Sequence, residues 1–243
     1  MRGTILFLAL FALPASAGIL VSDARVSWAP FSPPDLNLFV GAVNRTLDYI
    51  AGLGVTVDVP RLGELKQLWG ISISEGLGFG PFLALDLAAL KTETGTQGVL
   101  VEGDTERAVD ISLALQVVQF GLLGAFPALD PYLWIGGEVG FGLTTVAYHG
   151  RFDYSGDWNL SFVPPAEDLR CRAMGLFGGA FLRLSLPVVP GLSTFLEGGW
   201  RWEPLGIPAC GEKSLDLNGD GRGDYLDLSG MWLALGVHLG LAF

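Results

Sequence analysis

The sequence is short of charge. Only 16% of its 243 residues are Asp, Glu, Lys or Arg, against 50% hydrophobic residues. Intrinsic disorder needs the opposite balance and is excluded. An ordinary soluble enzyme would also carry more charge on its surface. Bases are scarcer still: 14 Lys and Arg face 25 Asp and Glu, for a net charge of −11. No basic block stands out, so nucleic acid is not an expected partner. Long hydrophobic runs are missing as well. A membrane helix needs about 20 apolar residues in a row. Beyond residue 17 the longest stretches, such as Ala173–Leu182, fall well short and are broken by Gly. A helical membrane protein is therefore excluded.

The one greasy run near the start has a different meaning. Residues 1–17 read MRGTILFLALFALPASA. Arg2 is a short positive region, Ile5 to Leu13 is apolar, and Ala15-Ser16-Ala17 is a small-x-small cleavage site. That is the pattern of a secretory signal peptide. No Cys follows the site, so a lipid anchor is not expected. Losing Arg2 takes the net charge from −11 to −12 for 18–243.

An exported, hydrophobic chain without membrane helices can span lipid in one other way, as a closed β-barrel. The periodicity points there. Val109, Ile111, Leu113, Leu115 and Val117 alternate with Asp110, Ser112, Ala114 and Gln116. Leu133, Ile135, Val139, Phe141 and Leu143 alternate with Gly136, Glu138, Gly140 and Gly142. Met231 to Phe243 repeats the pattern most cleanly, with apolar residues at every odd position. A lipid-facing strand needs about 9–11 such residues. A soluble sandwich would pair its apolar face with a charged one, whereas here the second face is mostly Gly, Ala and Ser.

Seven strands follow: 67–79, 81–92, 106–121, 131–147, 172–186, 192–204 and 226–243. Their connections alternate between short and long, the long ones being 93–105, 148–171 and 205–225. Outer-membrane barrels have short turns on the periplasmic side and long external loops. An even strand number requires one more upward strand before residue 67. Ile19–Pro30 is preferred, although Asp23 and Arg25 break its alternation; Gly54–Val59 is the alternative. The expected fold is all-β: a closed antiparallel transmembrane barrel of eight strands with one short N-terminal helix in a connection. Leu36, Phe39, Val40, Val43, Leu47 and Ile50 recur at helical spacing behind Pro33-Pro34, giving a helix near 34–52. It either lies on the barrel rim, the preferred placement, or enters the lumen. Trp69, Trp200 and Trp202 fall at external strand ends, where aromatic girdles mark the interface; Trp232 points inward by parity.

Parity also turns Asp110, Gln116, Glu138, Arg183, Glu197, Arg201 and His238 inward. Across the hairpin at Pro187–Gly191, Arg183 and Glu197 become diagonal neighbours. The expected role of these groups is a salt-bridge network that neutralises charge inside a closed barrel. A gated pore or proton path is the functional alternative.

The leader, the alternating strands, the loop rhythm and the terminal Phe243 together resemble the small outer-membrane β-barrel proteins of bacteria, the OmpX-, OmpA- and OmpW-like group. Gly236, Leu239, Leu241 and Phe243 resemble the C-terminal signal read by the barrel-assembly machinery, with Leu241 where the family usually has an aromatic. The resemblance implies insertion by that machinery into the outer membrane, with outer-membrane lipid as surroundings and a monomeric state. It implies a structural or surface-interaction role; a passive channel for small or apolar solutes, as in OmpW-like barrels, is the alternative. Some related barrels are lipid A acylases or deacylases using Ser, His and an acid. The two histidines, His149 and His238, form no recognised nucleophile setting, so enzymatic activity is not expected.

Two further features lie in the long loops. Cys171 and Cys210 are exported and allow one pairing only, so a disulfide is expected. The run Asp216–Asp227 places Asp216, Asn218, Asp220, the Arg222 carbonyl, Asp224 and Asp227 at positions 1, 3, 5, 7, 9 and 12, with Gly221 at position 6. This is the oxygen spacing of a Ca²⁺ loop. It resembles the EF-hand-like loops of exported proteins such as dockerins, which can end in Asp. A structural Ca²⁺ clamping an external loop is expected. A solvated acidic turn is the plain alternative.

Overall fold

The computed structural model describes residues 19–242; the expected leader and Phe243 lie outside them. Eight long strands form the wall: β1 (Ile19–Pro30), β2 (Gln67–Gly78), β3 (Phe82–Glu102), β4 (Thr105–Leu129), β5 (Leu133–Phe152), β6 (Asp168–Val189), β7 (Leu192–Trp202) and β8 (Gly230–Ala242). Each pairs antiparallel with the next. β8 then pairs with β1 from Ile19↔Ala242 to Trp28↔Leu233, closing the ring. Closure satisfies the backbone without a free edge, the condition for a sheet inside lipid.

Ile19–Pro30 is thus the eighth wall strand. Asp23 and Arg25 do not break its alternation: both are buried on its inward face. Of Gly54–Val59, Thr56–Asp58 forms a short strand that pairs with the top of β3. The segment 93–105 is not an open loop as expected. β3 and β4 stay paired through it up to Glu102↔Thr105, turning at Gly103 and Asp104. Consequently β3–β6 run 20–25 residues, whereas β1, β2, β7 and β8 run 11–13. Half of the wall rises well above the other half.

The tall strands change phase as they rise. On lower β4, Val118, Phe120 and Leu122 are exposed, while Gln119 and Leu123 are buried. On upper β4, Ile111, Leu113 and Leu115 are fully buried, while Ser112 and Gln116 are exposed. Odd residues face inward throughout; what changes is which face is apolar. The switch falls between Val117 and Val118. It recurs at matching rungs of its neighbours: Val118 pairs with Ala89 on β3 and Leu143 on β5, and Leu143 with Met174 on β6. Below this row the exposed residues are mostly Leu, Ile, Val, Phe and Met, as in Ile135, Val139 and Phe141, with Glu75 on β2 as a charged exception. Above it they include Lys91, Glu93, His149, Arg151, Arg170 and Arg172. The row marks the edge of a membrane-facing belt.

The apolar inner face of the tall wall needs cover, and the helix supplies it. Helix α1 (Pro34–Gly52) buries Leu36, Phe39, Val40, Val43, Leu47 and Ile50 completely. They share one core with Leu100, Ile111, Leu113, Leu115, Val146 and Tyr148. The Phe39 and Tyr148 rings meet edge to face, 5.5 Å between centroids. The expected rim placement is therefore corrected: α1 lies within the raised wall, against its inner face. A rim position would have left both this stripe and the inner face of β4 in water. Two asparagines two turns apart on α1 hold the returning chain. Asn37 exchanges hydrogen bonds with the backbone of Leu65 (2.9 and 3.1 Å), and Asn44 does so with Leu62 (2.9 and 3.0 Å).

Candidate functional site

Inside the belt all eight strands send polar groups into one buried layer. Asp23 accepts from or shares a proton with His238 Nδ1 at 2.6 Å and pairs with Arg183 Nη1 at 2.8 Å. Arg183 Nε donates to Glu197 at 2.6 Å. Glu197 also takes Arg25 Nη1 at 2.8 Å, and Arg25 pairs with Asp86 and donates to Ser72 Oγ at 2.9 Å. Toward β4, β5 and β7, Arg201 donates to Glu138 and to Gln119, each at 2.7 Å, and Gln119 donates to Glu203. The Arg183 guanidinium also lies 4.0 Å above the Phe195 ring. Burying such charges is tolerable only when each is paired and hydrogen-bonded. Three arginines face five carboxylates here, so the layer has an excess of acid. The space enclosed within it, lined by Arg25, Ser72, Asp86, Gln119, Arg201 and Trp232, is about 20 Å³, room for one water.

Of the residues assigned to the lumen by parity, Glu138, Arg183, Glu197, Arg201 and His238 lie in this layer. Asp110 does not, and neither does Gln116: both stand on the outer wall of upper β4. Parity alone turns the apolar face of 109–117 toward lipid, whereas above the phase switch that face is the interior. Arg183 and Glu197 are direct cross-strand partners, not diagonal ones. Asp23, Arg25, Asp86, Gln119 and Glu203 also belong to the network, although in the sequence Asp23 and Arg25 read as breaks in a strand and the other three carry no assignment. Their signal is in the sequence: Asp23, Arg25, Asp86 and Gln119 are polar residues at inward positions of strands whose other face is apolar, and Glu203 continues the inward parity of β7 one residue past its end.

At the short-turn end the lumen widens into a vestibule of about 800 Å³, lined by Val21, Phe82, Trp134, Leu192, the buried Arg183 and the half-buried His238. Trp69, Trp200 and Trp202 are exposed on the outer wall, and Trp232 is buried inside. On the last strand Leu239 and Leu241 face outward and Gly236 inward. A Cβ on Gly236 would collide with the Phe195 ring, so packing alone demands glycine there. Phe243, the last residue of the assembly-signal reading, lies outside the described residues.

On the outer wall above the belt, His149 Nδ1 meets Asp168 at 2.5 Å, and its Nε2 is 3.8 Å from Asp110. The hydrogen bond to Asp168 raises the His149 pKa above its ordinary value. Ser112 stands opposite His149 across the ladder. The backbone around this row belongs to the ladders of β4, β5 and β6.

In the long loops Cys171 and Cys210 are joined as a disulfide, with Cα atoms 4.2 Å apart. It ties β6 to the small hairpin of Ala209–Cys210 and Lys213–Ser214. The acidic loop folds around its own amides. Asp216 accepts from Gly219 and Gly221 N–H, Asn218 from Asp220, and Asp220 from Arg222, at 2.8–3.0 Å. Gly221 adopts φ 78°, which a side chain would strain. Asp224 is buried; its Oδ2 accepts from Leu217 N–H at 2.8 Å, and its Oδ1 has no protein partner. Burial pushes its pKa up to about 6. Asp227 turns to Ser229 N–H instead. Among the described residues no three His, Cys, Asp or Glu side chains gather as a ready ion cage.

Fold and site together define a closed, membrane-facing antiparallel barrel with an ion-paired interior and a helical cap. No family model and no curated protein matches the sequence. Among solved structures the chain is similar to the outer membrane protein OprG of Pseudomonas aeruginosa, at 9% identity and TM-score 0.39, covering 93% of this chain and 97% of that one. It is also similar to Ail, the attachment invasion locus protein of Yersinia pestis (10%, TM-score 0.35, 93% and 97%), and to the outer membrane protease OmpT of Escherichia coli (10%, TM-score 0.30, 93% and 96%). At such identities the likeness concerns the fold alone, and the barrel stands on its own ring of pairing.

Proposed function

We propose that the protein is a closed, monomeric barrel of the bacterial outer membrane with a structural or surface-presenting role. One observation carries this reading: the lumen is filled at two levels, by the ionic layer around Glu197 and by α1 above it. An open water path would need both to move. Outer-membrane lipid surrounds the belt, and the barrel-assembly machinery inserts the chain through its last strand; nucleic acid has no part. The reading is non-enzymatic. Planar-bilayer recording tests it. The expected result is no steady conductance; stable channel openings would overturn it in favour of a passive channel.

In the same reading the 216–227 loop takes a structural Ca²⁺. The orphaned Asp224 Oδ1, buried beside three neighbouring carboxylates, supports this. Asp216, Asn218, Asp220, Asp224, the Arg222 carbonyl and a reoriented Asp227 would hold the ion, whose charge would offset the repulsion among the acids. Protease resistance of the loop should rise with Ca²⁺ and not in the Asp220→Ala variant. Equal cleavage with Ca²⁺ and with chelator would leave the solvated turn as the answer.

A further inference from the structure

The ladders set out rows across the outer wall of β4, β5 and β6. Val118, Leu143 and Met174 form the highest apolar row. The next row up is Gln116, Thr145 and Arg172, followed by Ala114, Ala147 and Arg170. Each step is two residues, about 6–7 Å along the strand. Arg172 and Arg170 thus stand one and two steps above the lipid-facing edge, on the same face of β6, and both are exposed.

The other basic groups on the outer face of these strands have partners. Lys91 pairs with Glu93 at 2.5 Å, Arg151 with Asp153 at 3.1 Å and His149 with Asp168 at 2.5 Å. Arg170 and Arg172 pair with no acid among the described residues. Their ladder neighbours are Ala147, Thr145 and Ala209, too small to cover a guanidinium. In a chain with 25 acids and 14 bases, two like charges are left side by side without a counter-charge, an unfavourable arrangement unless an anion joins them. The disulfide at Cys171, between the two, pins the backbone that carries them. Guanidinium forks held this way match phosphate oxygens. Directly below, Met174 and Leu176 offer exposed apolar surface on the same face.

We propose that Arg170 and Arg172 bind the phosphate of an outer-leaflet lipid headgroup, whose acyl chain lies against Met174 and Leu176. The proposal rests on the outer-membrane reading. It is tested with the full chain folded in uncharged detergent and titrated with bis-phosphorylated lipid A, bound lipid being read by native mass spectrometry. The Arg170→Ala/Arg172→Ala variant should bind at least about tenfold more weakly, about 1.4 kcal/mol. Arg151→Ala, whose charge is already paired two rows above Arg170, should bind as the wild type does. Arg170→Lys/Arg172→Lys should fall between, keeping charge and losing the fork. Dephosphorylated lipid of the same chains should bind the wild type no better than lipid A binds the double Ala variant. Heat-modifiable gel mobility checks that each variant is folded. No binding by the wild type, equal binding by the double Ala variant, or equal binding of dephosphorylated lipid would overturn the proposal. Inorganic phosphate competing at the same concentration as lipid A would also overturn it, as a free-anion site. Failure of the folded wild type to enter any bilayer would instead overturn the outer-membrane reading.

Discussion

Below the row formed by Val118, Leu143 and Met174, the barrel wears its apolar side chains outside and holds charge within. Above that row the same strands turn charge outward and bury apolar groups beneath α1. The backbone is continuous through the change, and the inward parity of β4 never shifts. What differs is the solvent. Lipid around the lower wall takes over the part of a core, so the interior can be spent on ion pairs that all eight strands share. Water around the upper wall gives nothing to apolar side chains, so that half must bury its own core, and the helix acts as the missing second layer. The upper half follows the rules of a soluble sheet packed on a helix; the lower half follows those of a membrane barrel.

The sharpest way to break the lower half is through its hub. Glu197 is fully buried and joins Arg25 to Arg183. Glu197→Gln should cost about 3–5 kcal/mol, because it removes the carboxylate that Arg25 and Arg183 share and leaves each buried guanidinium a single acid. Denaturant titration of the barrel in lipid vesicles, followed by tryptophan fluorescence, measures this; a loss under ~1 kcal/mol would mean the pairs are replaceable by water. The upper half breaks differently. Leu113→Ala should cost about 2–5 kcal/mol as an ordinary core cavity, whereas the lipid-facing Leu122→Ala should cost less in the same assay, since lipid fills the gap. Equal costs would argue against the phase switch.

The boundary itself can be sharpened by charge insertion. Leu122→Arg, deeper in the belt, should cost about 2–4 kcal/mol, and Gln116→Arg, on the water side, about 0–1 kcal/mol. Comparable losses would move the edge of the belt. The smallest effect concerns the upper outer wall. His149 should titrate above its ordinary value, and Asp168→Asn should lower it, as read by NMR. Since its folded pKa is raised, the pair stabilises the fold fully below pH about 6.5 and loses that contribution as pH climbs through the folded value. An unchanged titration in the variant would remove Asp168 as the cause.

Much of this organisation is legible along the chain. The strand rhythm from Gln67 onward, the helix near 34–52 and the Cys171–Cys210 pairing follow from local pattern and from the count of two cysteines. The lower network was legible only in part: Glu138, Arg183, Glu197, Arg201 and His238 stand out against apolar neighbours, while Asp23 and Arg25 looked like faults in a weak strand. They look so because a short strand with two inward charges has the same spelling as a polar loop until its partners are known. Asp110 was misplaced for a related reason. An apolar stripe tells which residues share a face, and not whether that face meets lipid or a helix.

By itself the sequence determined the periods: two along the strands, three to four along α1, and the positions of turns, because these are properties of the backbone and its nearest neighbours. Only the tertiary structure decided which side of each stripe is the inside. That choice depends on what lies across the gap, and here α1 covers the upper half of β4 on one face while lipid covers the lower half on the other. A one-dimensional pattern carries the contrast between faces and is blind to the medium each face meets. The closed ring, by bringing Asp23, Arg25, Glu197 and His238 together from opposite ends of the chain, is what turned isolated inward charges into a single ion-paired layer.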